Sequence, residues 1–336
     1  MASTIKDIAK HTGLGLATIS SYLNGGNVRA ENKLKIEAAI EELNFEVNEV
    51  ARGLKTNKTK TIGVVIPELN NNFCTQIITY MEDILRNHGY ATIVCDCRTN
   101  KDLEKRAVEF LYRKRVDGII NMPVNSDGSH LNWFHKSNKP IVMIDRKING
   151  IDCDYVLVDN LTAVKKAIQK LIENGHTQIG MIGGPEDIFT AQERMLGYRL
   201  ALMEAGIVPE ERFIVHGDYT IDGGVNCVKD LVSNNKDMTA VFVANYEMTL
   251  GTVIGINELG IKIPEDLSVI GFDNVEFARA CNPKLTIVTQ PMKEIAENVA
   301  ELILKRIEEN ESEEEREFQV LKLQTAIKEG NSIKKL

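Results

Sequence analysis

Apolar positions along the chain fall into two regimes. In the first fifty residues they recur with a helical period: Ile5, Ile8 and Ala9, then Leu16, Ile19 and Leu23, then Ile36, Ala39, Ile40 and Leu43. Positions three and four apart share a helix face, so each set predicts a short amphipathic helix. Thr4 and Asp7 read as a capping pair, Gly13 breaks the first stripe, and Asn24-Gly25-Gly26 stops the second. From residue 61 the pattern changes to short continuous apolar runs separated by amphipathic stretches. The runs lie at 61–67, 91–94, 118–120 and 141–144, then at 155–158, 179–182, 213–216, 240–244 and 267–272. Helical stretches reach to about Asn87 after the first run, then cover 101–113, 161–174, 191–205, 223–233 and 249–259. Runs apolar throughout are what strands buried on both faces of a parallel sheet require. Two successive strand–helix series predict two doubly wound parallel-sheet lobes behind an all-α head.

Two short helices around a glycine turn, with a third in support, read as a helix-turn-helix module. The second helix would enter the major groove and expose Leu16, Ala17, Thr18, Ser20 and Ser21. The same periodicity also fits any small helical hairpin. Charge adds a direction. Residues 1–60 carry nine basic and seven acidic side chains, whereas the remainder carry 31 and 41. Arg52, Lys55, Lys58 and Lys60 follow one another with no acid between them. A polyanion would bind at this end.

Composition excludes several classes. Of the 336 residues 43% are hydrophobic and 26% charged, as in soluble globular proteins. No apolar run approaches the ~20 residues that cross a bilayer, and no apolar leader follows the N-terminal charges, so a cytoplasmic location and no membrane contact are expected. The cysteines at 74, 95, 97, 153, 227 and 281 form no Cys-x-x-Cys pair, and no His-x-x-x-His pair occurs, so no metal is expected. Gly183-Gly184-Pro185 is no nucleotide-binding fingerprint. With no nucleophile–base spacing either, neither a cofactor nor an enzyme activity is expected.

In a doubly wound fold, ligands sit beyond the carboxyl ends of strands. Polar residues found there are Asn72 with Phe73 beside it, Asp145, Asn245 and Asp273, while Arg194 opens a helix and Tyr219 follows a strand. Carboxylates accept from hydroxyl pairs, arginine donates, and an aromatic face covers a sugar ring. Each taken singly also reads as a helix cap or surface polar group.

The head carries further order. Thr4-Ile5-Lys6-Asp7-Ile8-Ala9, Gly13, Ala17-Thr18-Ile19-Ser20, Leu23-Asn24-Gly25, Glu41-Glu42-Leu43-Asn44-Phe45 and Asn48-x-x-Ala51-Arg52-x-Leu54 occur in sequence. In the body stand His176-Thr177-x-Ile179-Gly180, Glu193-Arg194-x-x-Gly197-Tyr198, Phe242-x-Ala244-Asn245, Pro264-Glu265-Asp266-Leu267-Ser268-Val269-Ile270-Gly271-Phe272-Asp273 and Thr289-Gln290-Pro291. This set resembles the lactose-repressor/galactose-repressor family over nearly the whole chain. The resemblance implies a homodimeric repressor that binds a near-palindromic operator through Thr4, Leu16, Ala17, Thr18, Ser20, Ser21, Asn24 and Arg29. It implies a hinge contributing Asn48, Ala51, Leu54 and Lys55, with Leu54 wedged into the minor groove. Arg194, Asn245 and Asp273 carry over as effector contacts, joined by Asn72, Phe73, Asp145, Tyr219 and Gln290. The implied boundaries are a head at 1–47, a hinge at 48–60, a first lobe at 61–158 with 290–318, and a second lobe at 159–289 with 319–330. Departures are Ser21 where relatives carry arginine, Gly15 at a serine cap, Cys74 at an aromatic position and Tyr246 at an aspartate position. Glycine still serves as an N-cap. Serine lacks the fork that reads guanine.

Three classes are weighed: an effector-responsive repressor, a sugar-binding transport receptor and an α/β enzyme. A receptor would need a leader and no head, and an enzyme would need a catalytic set. The repressor is the expected function, with a carbohydrate as its effector.

Overall fold

The three apolar stripes of the head meet in one small core. In the computed structural model, residues 3–46, 53, 58–309 and 317–336 are described. They divide into two compact units, one ending at Thr59 and one beginning at Lys60. The first contains α1 (Ile5–Thr12), α2 (Leu16–Leu23) and α3 (Ala30–Glu42). Ile8, Ile19, Ile36 and Ala39 are fully buried there, with Phe45 closing the cluster. At the start of α1, the Thr4 backbone N–H and hydroxyl both donate to the Asp7 carboxylate, at 2.8 and 2.7 Å. These bonds hold the Asp7 carboxyl below its usual range. Gly13 ends α1 at φ +68, a left-handed turn suited to glycine.

The second unit opens with β1 (Thr61–Ile66), α4 (Asn72–Asn87), β2 (Ala91–Asp96), α5 (Lys101–Arg113), β3 (Gly118–Asn121), α6 (Asn132–Lys136), β4 (Ile141–Ile144) and β5 (Asp154–Val158). The second series is α7 (Asn160–Glu173), β6 (Ile179–Gly183), α8 (Phe189–Glu204), β7 (Ile214–His216), α9 (Ile221–Asn234), β8 (Ala240–Val243), α10 (Tyr246–Glu258), β9 (Ser268–Phe272), α11 (Val275–Ala280) and β10 (Thr286–Thr289). The chain ends with α12 (Met292–Glu308), β11 (Val320–Leu323) and β12 (Ala326–Lys328). One sheet runs β11-β5-β4-β3-β1-β2 and the other β12-β10-β9-β8-β6-β7. All pairings are parallel except that of β12 with β10. Strand order reverses between β1 and β3 and between β6 and β8, so each lobe has a crevice at the carboxyl ends of those strands.

Two expectations change. Phe213 is not a strand residue: it lies in a short 3-10 turn, its ring buried in the second-lobe core, and the strand begins at Ile214. More consequentially, the stretch assigned wholly to the second lobe divides. β11 pairs with β5 in the first sheet, and only β12 joins the second. A buried ion pair explains the difference. Helix α12 buries Ile295, Val299 and Ile303 in the first-lobe core. It also brings Arg306 against Asp154 at the start of β5, with two bonds of 2.9 Å. Arg306 Nη2 donates to the Glu317 carbonyl at 2.5 Å, and the Gln319 N–H donates to Asp154 at 2.8 Å. The returning chain is thereby laid alongside β5 before it crosses.

Both partners of this pair are at most 4% exposed. Removing one strands a buried charge, which costs about 3–5 kcal/mol. Asp154→Ala is therefore expected to lower the urea midpoint by that equivalent, and an Asp154→Leu, Arg306→Met double substitution to recover most of it.

Candidate functional site

The strand-end residues converge, and backbone geometry aims them. Asp145 and Asp273, just past β4 and β9, adopt φ +69 and +55. These left-handed residues turn the chain out of the strand. The Asp273 carboxylate accepts from the Gln290 backbone N–H at 3.1 Å and from Gln290 Nε2 at 2.6 Å. Arg194 projects from α8, donating from Nε to Asn160 Oδ1 at 2.8 Å and from Nη1 to the Ala244 carbonyl at 2.5 Å. Its guanidinium lies 4.0 Å from the centroid of the Phe272 ring. Asn245 caps α10, accepting from the Met248 N–H at 3.1 Å, and its amide donates to Glu247 at 2.7 Å.

Glu247 was not anticipated. It receives a second amide bond, 3.0 Å from Asn71 Nδ2 at the start of α4. Asn71 caps α4 by accepting from the Cys74 N–H, so one side chain ends a helix in one lobe and reaches a carboxylate of the other. Nothing in a one-dimensional pattern pairs residues 176 apart. The acid's position as the second residue of a helix reads as an ordinary first-turn charge.

Several cleft atoms are buried and make no hydrogen bond: Asn72 Nδ2, Asp145 Oδ1, Arg146 Nε, Tyr219 Oη, Gln290 Oε1 and Glu193 Oε2. Asn72, Asp145 and Tyr219 belong to the strand-end set, and Gln290 to the residues implied by the family resemblance. Asp145 and Gln290 are 7% and 8% exposed. Tyr219, at φ +65, lays its ring directly on Gly184, where a Cβ would come within 2.1 Å. Phe73 packs against the first-lobe core, a packing role beside its place near the cleft. A cavity of about 200 Å³ opens against Asp273 and Gln290, bordered by Tyr80, Thr289 and Lys293. The larger concavity, about 820 Å³ between Val253, Ile261, Pro264 and Cys281, lies at the amino ends of β9 and β10 and contains none of these carboxylates.

Burial pushes the Asp273 carboxyl up to about 6, against the pull of Gln290 and Arg194, and Asp145 nearby raises it further. Burial likewise pushes Glu247 to about 7, and Asp273 and Glu68 add to the rise. Both groups are held in a place that disfavours their charge.

In the head, Leu16 is 48% exposed and Ala17 is also exposed at the start of α2. Thr18, Ser20 and Ser21 are only half-buried rather than open. The Ser21 hydroxyl sits against the turn, where a Cβ on Gly26 would meet it at 2.4 Å. Asn24 Nδ2 folds back onto the Ser20 carbonyl at 2.7 Å and so closes its own helix. The Thr4 hydroxyl is held by Asp7, and Arg29 is exposed at the cap position of α3. Asn48, Ala51, Leu54 and Lys55 lie outside the described residues.

Comparison with known proteins fits both halves. Residues 4–48 match bacterial regulatory proteins of the lacI family, and residues 59–327 match the periplasmic binding proteins and sugar binding domain of the LacI family. The chain belongs to the LacI family. The catabolite control protein A of Priestia megaterium is 35% identical over 91% of this chain and 92% of its own length. A solved complex of the transcriptional regulator CelR with cellobiose is 28% identical, covering 98% of this chain and 99% of that one, with a TM-score of 0.74. The lac repressor dimer bound to operator and an anti-inducer shares the fold at a TM-score of 0.86, with 24% identity over 99% of this chain and 100% of that one. This LacI-family chain is a DNA-binding transcriptional regulator with an effector-binding body, not an enzyme. No helix among the described residues is long and apolar enough to cross a membrane.

The raised carboxyls carry a pH signature. A carboxyl whose folded pKa is raised stabilises the fold most below its ordinary range and loses that contribution as pH rises through about 6 for Asp273 and about 7 for Glu247. Neutral replacements escape this loss. As pH rises from about 4 to about 7, Glu247→Gln and Asp273→Asn are expected to gain stability relative to the parent, by up to about 3 kcal/mol at about 1.4 kcal/mol per pKa unit. Urea titrations across that range measure it.

Proposed function

We propose that this regulator acts in the cytoplasm as a homodimer that holds a near-palindromic operator through α2 and the 48–60 segment. It releases or tightens its grip when a sugar-like effector closes the two lobes. The observation that carries the effector reading is the set of buried, unbonded polar atoms at the strand carboxyl ends. Buried polar groups are almost always hydrogen-bonded, and a hydroxyl-rich ligand supplies both donors and acceptors to such a set. Asp145, Arg194, Tyr219, Asn245, Asp273 and Gln290 are the proposed contacts, with Asn72 and Phe73 at the rim. The CelR relative was solved with cellobiose, which supports a carbohydrate as the class. Closure moves lobes joined by three chain crossings, near 159, 290 and 324, and so can change the spacing of the paired heads.

For DNA, Leu16 and Ala17 are proposed to meet thymine methyls, with Thr4, Thr18, Ser20, Ser21, Asn24 and Arg29 around them. Asn48, Ala51, Leu54 and Lys55 are proposed to complete the contact in the minor groove.

Binding of the full chain to a palindromic target is expected to weaken with salt, by about 0.9 log units per log unit of salt for each phosphate neutralised. The fragment 61–336 is expected to show no specific binding. Fluorescence-anisotropy titrations at several salt concentrations test both. A flat response or an active fragment would refute the assignment of DNA binding to the head.

Arg194→Ala or Asp273→Ala is expected to abolish the effector response while leaving operator affinity near that of the parent. Losing a charge-assisted bond to a ligand hydroxyl costs roughly 1.5–3 kcal/mol, enough for tenfold or greater loss of affinity. The paired measurement is operator affinity with and without each sugar of a thermal-shift screen. Parental effector affinity in both variants would place the site elsewhere.

A further inference from the structure

Two helix caps fix which way their amides point. Asn71 Oδ1 accepts from the Cys74 N–H at 3.0 Å at the start of α4, and Asn245 Oδ1 accepts from the Met248 N–H at 3.1 Å at the start of α10. With its oxygen occupied by the cap, each amide has only N–H donors left for other partners. Both donate to Glu247. Asn71 Nδ2 reaches Oε1 at 3.0 Å, and Asn245 Nδ2 reaches Oε2 at 2.7 Å. An ionised carboxylate accepts at both oxygens, so this one side chain answers a donor from each lobe. The amino ends of α4 and α10 favour a negative charge beside them.

The place of this contact gives it leverage. The chain crosses between the lobes after β5, after β10 and between β11 and β12, and these strands lie at one end of each sheet. Asn71 follows β1, three strand spacings or about 14 Å from β5. Glu247 follows β8, two spacings or about 10 Å from β10. Lys322 and Glu193, 3.7 Å apart, also join the lobes, but that pair starts from β11, beside a crossing. A contact far from the crossings resists their flexing through a longer arm than one beside them. It is opposed as well as held. Burial, with Asp273 and Glu68 nearby, pushes the Glu247 carboxyl up to about 7, against the pull of Arg194.

We propose that Asn71, Glu247 and Asn245 form a latch that holds the two lobes together from the side away from the chain crossings. The protein's own side chains thereby set part of the balance between closed and open lobes. Of the three, only Asn245 is also a proposed effector contact. The consequence for the effector rests on the lobe closure proposed above, because a latch that favours closure lowers what a ligand must add to complete it.

The test reverses the contact. Asn71→Ser keeps the cap of α4 with a side chain too short to reach Glu247. Asn71→Asp keeps an acceptor for the Cys74 N–H but turns a second carboxylate on Glu247. Adding Glu247→Gln to Asn71→Asp restores the pair with its direction reversed: the new amide donates to the new carboxylate and still accepts from Asn245 through its oxygen. Fluorophores are attached through encoded azide residues at positions 98 and 187, which are exposed beyond β2 and β6 in the two lobes. Single-molecule energy transfer is read in the full chain at pH 8, above the Glu247 titration, with labelled subunits diluted into an unlabelled excess. No ligand is added, so the reading does not depend on what the effector is. Each single variant is expected to lower the ratio of closed to open molecules at least about tenfold, as loss of one charge-assisted hydrogen bond does. The double variant is expected to return most of that loss. Parental transfer in both single variants, or a loss in Asn71→Asp that the double variant does not return, overturns the latch. Either result leaves the effector assignment to stand or fall on Arg194→Ala and Asp273→Ala.

Discussion

The buried pair of Arg306 and Asp154 is the constraint on which the two-lobed body depends. A chain that builds one sheet, leaves to build a second and then returns must be told where to re-enter. Apolar packing of α12 returns it to the first lobe, but burial of Ile295, Val299 and Ile303 is non-directional. The guanidinium–carboxylate fork supplies direction, because its bonds have fixed geometry and an unpaired charge in that place is costly. The same carboxylate then accepts the Gln319 N–H, and β11 follows into register with β5. The third crossing between the lobes is set by this one polar anchor.

The crossings matter because of what they leave between the lobes. Parallel strands place all their carboxyl ends on one edge of each sheet, and the switch points open crevices there. Two such edges face one another across the chain crossings. Side chains that would be helix caps in an isolated lobe, Asn71 and Asn245, meet through Glu247 and become part of a shared network. The network holds carboxyls in low-dielectric surroundings, and the cost appears as their raised pKa values. Stability is given up locally at the place where a ligand would restore hydrogen bonds.

The head follows different economics. Its core is a handful of side chains around Ile8, Ile19 and Ile36. Helices this short are marginal by themselves, and each cap adds about 0.5–2 kcal/mol to what packing supplies. Thr4 with Asp7, Gly13, and Asn24 against Ser20 serve that need, so polar residues at the helix ends are partly occupied in holding the helices. Leu16 and Ala17 remain exposed, so the solvent-facing start of α2 is apolar.

The amino-acid sequence by itself determined the helical head, the alternation of buried strands and amphipathic helices, and the family, because periodicity and motif order are local properties of the chain. It also singled out Asp145, Tyr219, Asn245 and Asp273, since strand ends are visible as the edges of apolar runs, with Arg194 on a helix, while Gln290 came only with the family resemblance. Tertiary structure alone decided the rest. The division of 320–328 between the two sheets depends on Arg306 meeting Asp154, 152 positions away. The inclusion of Glu247 depends on Asn71 reaching it across the cleft. The half-burial of Ser21 depends on the Gly26 turn folding over its hydroxyl. Each is a contact whose energy exists only once distant segments are packed, and hydrophobic periodicity carries no record of which polar atoms will then be neighbours.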